Sequence, residues 1–172
     1  FEQIPVMVDI YDTQLSRIRV NKAFEETLGW TNTELKGIDL LAAFYPDTSI
    51  RKKAAKAMDE ANGQWHTFEV MDKAGNTHIQ EWSNIQLSDS STVGIGIDVT
   101  EKVHLHQKLK EEQEELKNVN KRFERAEKIG KIGHVVRNLK TGESTWSNNI
   151  YELGGFDKDT TEPSLDFLIN QI

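Results

Sequence analysis

The segment VNKAFEETLGW at residues 20–30 contains the start and the end of one short helix. Asn21 is a typical N-cap residue, because its side chain can accept a hydrogen bond from a free backbone N–H of the first turn. Phe24 and Leu28 are four residues apart and therefore share one helical face. Gly29 ends the helix, since glycine readily adopts the left-handed conformation that follows many helices. The segment predicts a short amphipathic helix directly after a strand.

Strand-like segments lie on both sides of this helix. Five strands are predicted, two before it and three after it, at residues 5–12, 17–20, 65–71, 77–87 and 92–100. The turns at residues 72–76 and 88–91 are rich in Asp, Ser, Asn and Gly, which favours antiparallel hairpins between the last three strands.

Two further helices are predicted between the two groups of strands. Thr31 and Glu34 have the spacing of a capping box, which indicates a short helix ended by Gly37. Residues 48–61 form an amphipathic helix, ended by Gly63, with its lysines off the apolar stripe. This order of elements predicts an α+β fold, in which an antiparallel sheet has its helices gathered on one side.

The composition excludes several classes of protein and of site. The chain has 172 residues, of which 37% are apolar and 28% charged. Its net charge of −7 argues against a general nucleic-acid binder, which would normally show a basic face. It has no Cys, so a disulfide, a thiolate metal site or a cysteinyl–flavin adduct is excluded. No apolar run approaches the roughly 18 residues of a membrane span. We expect a cytoplasmic fragment without membrane contact, which leaves open a membrane-attached parent.

The pattern changes at residue 101, where a highly charged segment without Gly or Pro extends to residue 128. Its apolar residues follow a heptad seam, with Glu112 and Lys102 at two other core positions. Two interpretations stay open, a single helix packed on its own domain and a parallel two-stranded coiled coil. The seam consists of Leu105, Leu109, Leu116, Val119, Phe123 and Ala126.

The segment WSNNIYELGGF at residues 146–156 aligns with residues 20–30 and indicates an internal repeat. Residues 132–143 before it have the pattern of a first strand and hairpin. We expect a second copy of the first unit that lacks its last three strands, so that its strand edges are unpaired.

Taken together in this order and spacing, short motifs across residues 4–101 resemble a PAS domain. The motifs are VNKAF at 20–24, LGW at 28–30, EL at 34–35, GQW at 63–65, KAG at 73–75 and GIDVTE at 96–101. The resemblance implies a five-stranded antiparallel sheet with helices on one side around a small cavity, followed by a long connector helix. It divides the chain into a PAS domain at 1–100, a helical or coiled-coil connector at 101–128, and a truncated N-terminal part of a second PAS domain at 129–172.

The resemblance also implies which side chains face the cavity. When the strands are matched to ligand-binding members of the family, alternate residues of each strand face the cavity. Phe24 and Met58 close the cavity from the helices. The residues that alternate with these, which include Val8 and Ile95, form the more apolar face of the sheet. Burial of apolar side chains alone would place this face, rather than the other, in the core. The implied ligand pocket consists of Asp9, Tyr11, Phe24, Met58, Phe68, Val70, Gln80, Trp82, Asn84, Gly94 and Gly96.

The resemblance implies a sensory and dimerisation module of a bacterial signalling protein. Its parent is expected to be a histidine kinase, with the alternatives of a ligand-free interaction scaffold, a diguanylate cyclase and a transcription regulator. Asp98 and Thr100 are expected to fix the junction with the connector, through which a homodimer would form together with the apolar sheet face. The ligand is not identified. The resemblance implies that haem would be held by a His on a helix in the cavity, and because residues 48–61 contain no His, haem is not expected. Neither catalytic nor metal-binding residues are expected in this fragment.

Overall fold

The computed structural model describes residues 1–12, 17–164, 167 and 169. The chain forms two compact units, Phe1–Gln107 and Lys108–Ile172. The first unit contains a five-stranded antiparallel sheet with the strand order β2-β1-β5-β4-β3. Its strands are β1 (Met7–Asp12), β2 (Arg17–Val20), β3 (Asn62–Met71), β4 (Thr77–Gln86) and β5 (Thr92–Asp98), and its short helices are α1 (Lys22–Leu28), α2 (Leu40–Phe44) and α3 (Thr48–Glu60).

Helix α1 begins and ends where the sequence predicts. The Asn21 side chain accepts a hydrogen bond from the Phe24 N–H at 3.1 Å and another from the Val8 N–H at 3.0 Å, so it joins the helix to β1. Gly29 follows the helix with a φ of 72°. The cap is fully buried, which fixes the position of α1 against the sheet.

The register of the central strands decides which side chains share a face. Asp9 of β1 lies opposite Gly94 of β5, which in turn lies opposite Asn84 of β4. Two residues along, Gly96 lies between Met7 and Trp82 in the same way. The helices cover this inner face, and the core is formed by Met7, Val20, Phe24, Leu28, Leu35, Phe44, Tyr45, Ala54, Ala57, Phe68, Val70 and Trp82.

The segment between α1 and α3 differs from the prediction. Thr31 and Glu34 do form the reciprocal capping contacts, with the Thr31 N–H donating to the Glu34 carboxylate at 3.1 Å, but residues 32–37 are turns rather than a helix. Gly37 has a left-handed φ of 86° and ends this single turn. One turn is too short to form a stable helix by itself. The helix here is α2, which the sequence analysis missed and whose N-cap is Asp39.

The end of α3 is also different. Ala61, with a φ of 38°, is the C-cap, rather than Gly63. Gly63 instead lies near the start of β3, which begins three residues earlier than predicted. β5 ends at Asp98, and the long helix α4 (Thr100–Gly130) begins two residues later.

In the second unit, α4 is followed by β6 (Val135–Arg137), β7 (Ser144–Trp146) and α5 (Asn148–Gly154). The two strands pair with the register of β1 and β2: Val135 lies opposite Trp146, as Asp9 lies opposite Val20. Ser147 and His134 exchange two hydrogen bonds, at 2.9 and 3.1 Å, which correspond to those between Asn21 and Val8. The aligned repeat in the sequence therefore has a matching local structure.

Candidate functional site

A cavity of about 1410 Å³ lies between the inner face of the sheet and the helices of the first unit. Its rim is formed by exposed residues of β1 and β2 and of the turns. Several residues of the implied pocket line it, namely Asp9, Tyr11, Phe24, Met58, Val70, Trp82 and Asn84. The other four, Phe68, Gln80, Gly94 and Gly96, are buried in the sheet or core beside it and are not among its lining residues.

Asp9 is the charged group deepest in the cavity wall, with 9% of its surface exposed. Burial raises the pKa of its carboxyl from 3.8 to about 7, and a hydrogen bond from the Gly94 backbone only partly opposes this. Burial raises the pKa of the Tyr45 hydroxyl, and the negative charge of Asp9 raises it further. The Tyr45 hydroxyl is therefore close enough to Asp9 to interact with its charge. The cavity therefore contains an ionisable group whose charge changes near neutral pH.

The two glycines of β5, which belong to the implied pocket, leave no free space for a ligand above them. A Cβ on Gly94 would collide with the Asp9 carboxylate and lie 3.0 Å from Asn84 Oδ1, and a Cβ on Gly96 would lie 2.5 Å from the Trp82 ring. The space over each glycine is therefore filled by a neighbouring side chain. These glycines shape the cavity wall by letting Asp9 and Trp82 lie flat against β5.

Trp82 has a fixed orientation in this wall. Its Nε1–H donates to Gln80 Oε1 at 2.9 Å, and both side chains are buried. Its ring meets Phe24 edge to face, with the centroids 6.1 Å apart. Gln80 thus supports the cavity wall from beside it, because it holds a residue that lines the cavity.

Sequence reasoning missed the part of the wall that α2 supplies. Phe44 and Tyr45 are both buried and both line the cavity, as do Leu40 and Leu41. The signal was present, because Asp39 is a good N-cap residue followed by the helix-forming run Leu-Leu-Ala-Ala-Phe. A helix of five residues is too short to show a periodic apolar stripe.

The start of α4 is tied to the sheet at three points. Asp98 accepts a hydrogen bond from the backbone N–H of Thr100 at 2.9 Å, and the Thr100 hydroxyl accepts one from the Ile79 N–H of β4 at 2.8 Å. The Val99 N–H donates to the Ile79 carbonyl at 2.9 Å. The Thr100 hydroxyl therefore bonds to the neighbouring strand, while Asp98 accepts the N–H of the first residue of the helix.

His78 extends this junction, and the sequence analysis missed it. Its Nδ1 lies 2.8 Å from Asp98 Oδ2 and its Nε2 lies 3.3 Å from Asp72 Oδ2 in the β3–β4 turn. Partial burial opposes ionisation of Asp98, but hydrogen bonds from Thr100 and His78 outweigh it and lower the pKa of Asp98. The Asn76 side chain is the largest cause that lowers the pKa of Asp72 to about 2. Both carboxylates are therefore charged at neutral pH.

The predicted seam residues lie on α4 and are exposed in the single chain. Leu105 is 60% and Leu116 is 62% exposed, and Leu109, Val119, Phe123 and Ala126 are exposed as well. The outer face of the sheet is partly open too, since Ile85 and Ile97 are exposed. Among the described residues, no group of three or more His, Asp or Glu could hold a metal ion, and no helix has the length and apolarity needed to cross a bilayer.

Solved structures with a similar fold come from several signalling proteins. An RNA-binding light-oxygen-voltage receptor matches 66% of this chain at 18% identity with a TM-score of 0.52, and the match covers 35% of that receptor's length. A second similar structure is a domain of a sensory box sensor histidine kinase/response regulator from Geobacter sulfurreducens, at 21% identity and with a TM-score of 0.48. The match covers 57% of this chain and 87% of that domain. The LOV domain of a blue-light activated histidine kinase from Erythrobacter litoralis EL346 is 20% identical, with a TM-score of 0.48. The match covers 57% of this chain and 99% of that domain.

No curated protein matches the sequence. The family model described as PAS fold matches residues 1–104, which is more than half of the chain and includes all five strands of the first sheet, the cavity and the start of α4. With the observed strand order and the helices on one face of the sheet, this match establishes the family: the chain belongs to the PAS fold family.

Proposed function

We propose that the first unit is a sensory module that binds a small molecule in its cavity and passes a conformational change through α4 to an output domain. The parent is a bacterial signal-transduction protein, and the output domain is a histidine kinase, the output that tandem units of this family most often precede. In this proposal the fragment itself carries no catalytic group, because the reaction belongs to the output domain.

One observation carries the proposal: a single strand, β4, contacts both the cavity and the start of α4. Trp82 and Asn84 of β4 line the cavity, and Ile79 of the same strand exchanges hydrogen bonds with Val99 and Thr100. A ligand that favours one position of β4 over another would therefore also favour one position of the helix start. Such a differential interaction is the requirement for a ligand to act as a signal.

The second part of the proposal is a homodimer. The seam on α4 and the outer face of the sheet leave apolar side chains exposed in the single chain. A parallel pairing of α4 with its copy would bury the seam, and the outer face of the sheet around Ile85 and Ile97 is a second apolar surface for the homodimer. In a dimer, a change at each helix start is delivered to two output domains at once.

The alternative is a scaffold that associates with other chains without any ligand. The observation that favours it is the same exposed apolar surface, which is sufficient for association by itself. The same fold and helix would also serve a diguanylate cyclase or a transcription regulator. The scaffold differs from the sensor in one measurable property, because its cavity contains only water.

Native mass spectrometry of the purified chain, with its absorbance spectrum, tests the proposal. We expect a retained small molecule in the wild type and its loss in Met58→Trp, since Met58 lines the cavity from α3 and a larger ring fills the space. Trp65→Phe is the matched aromatic control, because Trp65 is exposed on β3 outside the cavity. An unchanged ligand mass in Met58→Trp, or a cavity that takes up no molecule from a fragment screen, contradicts the sensor and favours the scaffold.

A further inference from the structure

We propose that the cavity takes a small organic cation, a protonated amine with an apolar group, whose ammonium binds to Asp9. This inference rests on the ligand-binding function proposed above and adds the chemical class of the ligand. It is carried by the position of one buried carboxylate and by the groups around it.

Asp9 is a buried acid, and the described part of the chain offers it no basic partner. Among the residues that the structure describes, no Lys, Arg or His forms an ion pair with it, and no side chain donates a hydrogen bond to it. The basic residues in the cavity lining, Arg17, Arg19 and Lys36, are exposed at its rim. An unpaired carboxylate is costly in such a position, and a cation from outside the chain would remove this cost.

The groups beside Asp9 complete a site for an N–H donor. Asp9 Oδ2 and Asn84 Oδ1 both lie against Gly94, so two acceptor oxygens lie close together on residues that line the cavity. Tyr45, whose hydroxyl lies in electrostatic reach of Asp9, adds a third oxygen to the buried lining. An ammonium has three donors and no acceptor, so oxygen acceptors of this kind match it.

The rest of the wall determines the other half of the ligand. Phe24, Phe44 and Trp82 line the cavity and meet edge to face, with 5.8 Å between the centroids of Phe24 and Phe44 and 6.1 Å between those of Phe24 and Trp82. Aromatic rings pack against apolar groups and attract cations through their faces. Conversely, an anionic ligand would be repelled by the Asp9 carboxylate, and the Asp residues of the lining outnumber its Lys and Arg residues.

This chemistry predicts a proton release when the amine binds. Because burial raises the pKa of Asp9 to about 7, part of the population is protonated at neutral pH, and a bound ammonium favours the ionised form. A neutral ligand that accepts a hydrogen bond from the carboxyl would have the opposite effect and take up a proton. The direction of proton transfer therefore separates the two kinds of ligand even if no variant is made.

Titration calorimetry of the full chain at neutral pH, in two buffers with different ionisation enthalpies, tests the inference. The probes are phenethylammonium, the neutral phenethyl alcohol and the anionic hydrocinnamate. We expect the ammonium to bind most tightly and to release protons, and Asp9→Asn to weaken it by at least about tenfold, the loss expected for a charge-assisted hydrogen bond. The matched control, Asp59→Asn, makes the same chemical change at an exposed rim residue and leaves the affinity within about twofold.

The outcomes separate this inference from the proposed function. If the alcohol or hydrocinnamate binds in the cavity as tightly as the ammonium, or if the two Asp variants lose the same affinity, the ligand class is wrong and ligand binding stands. Proton uptake by the wild type also overturns the class, and it does so even if Asp9→Asn fails to fold. If none of the probes nor any other small molecule binds in the cavity, both proposals are overturned.

Discussion

Asp9 connects the stability of the first unit to pH. Its carboxyl has a pKa of about 7 in the folded chain and an ordinary value of 3.8 when unfolded, so the folded state binds the proton more tightly between these values. The stability that comes from protonated Asp9 is fully present below about pH 4 and is lost as the pH rises through about 7. The full shift corresponds to an upper bound of roughly 4 kcal/mol in the free energy of unfolding.

We therefore predict that Asp9→Asn is more stable than the wild type above neutral pH and that the difference shrinks towards pH 4. The reason is that Asn has no charge to bury, while the ionised Asp9 does. Urea unfolding of both proteins across this pH range measures it. Parallel stability curves for the two proteins would show that Asp9 does not titrate within the cavity.

The hydrogen bond between Thr100 and Ile79 connects strand β4 to helix α4. Thr100→Val keeps the shape of the side chain but leaves the partly buried Ile79 N–H without its acceptor. We expect a loss of about 1–2 kcal/mol in the free energy of unfolding of the first unit and faster amide exchange at Ile79. The matched control is Thr92→Val, a half-buried threonine of β5 for which no side-chain hydrogen bond is described. Equal losses of stability in both variants would show that the Thr100–Ile79 hydrogen bond makes no specific contribution to the free energy of unfolding.

The heptad seam on α4 fixes the rotation of the helix relative to the domain that would follow it. In the full-length parent, inserting four residues after Glu114 rotates the seam relative to the next domain, while inserting seven restores the heptad register. We expect the first insertion to change the output activity and the second largely to retain the parent's activity, measured as autophosphorylation if the output is a kinase. The same activity from both insertions would contradict transmission through a coiled coil.

The elements differ in how far their sequence decides them. Asn21 and Gly29 predict α1 because a cap acts within a few residues, and the hairpin turns are equally local. Thr31 misleads for the same reason, since its capping contacts form without a helix behind them. The proximity of Asp9 and Asn84 depends on the register of β1 against β5 and of β5 against β4, which joins residues far apart in the chain and is not encoded in any local pattern.

The described residues of the second unit repeat the local structure of β1, β2 and α1 of the first unit. Its two-stranded sheet, β6 and β7, shares the register of β1 and β2 but has no third strand among the described residues. A sheet of two strands is marginally stable in water. We predict weaker amide protection for Val135–Arg137 and Ser144–Trp146 than for the five strands of the first unit in a dilute sample. Equal protection in both sheets would contradict this.

In the proposed function, occupancy of the cavity changes the start of α4. Amide exchange of the wild-type chain, with and without phenethylammonium, tests this coupling, because the Val103 N–H donates to the Val99 carbonyl in the first turn of that helix. We predict that the amine changes exchange at β4, at β5 and at Val103, and that Asp9→Asn abolishes all three changes. In Asp98→Ala we expect the change at β4 to persist while the change at Val103 is lost. A bound ligand that alters the cavity strands of the wild type and leaves Val103 unchanged would contradict the claim.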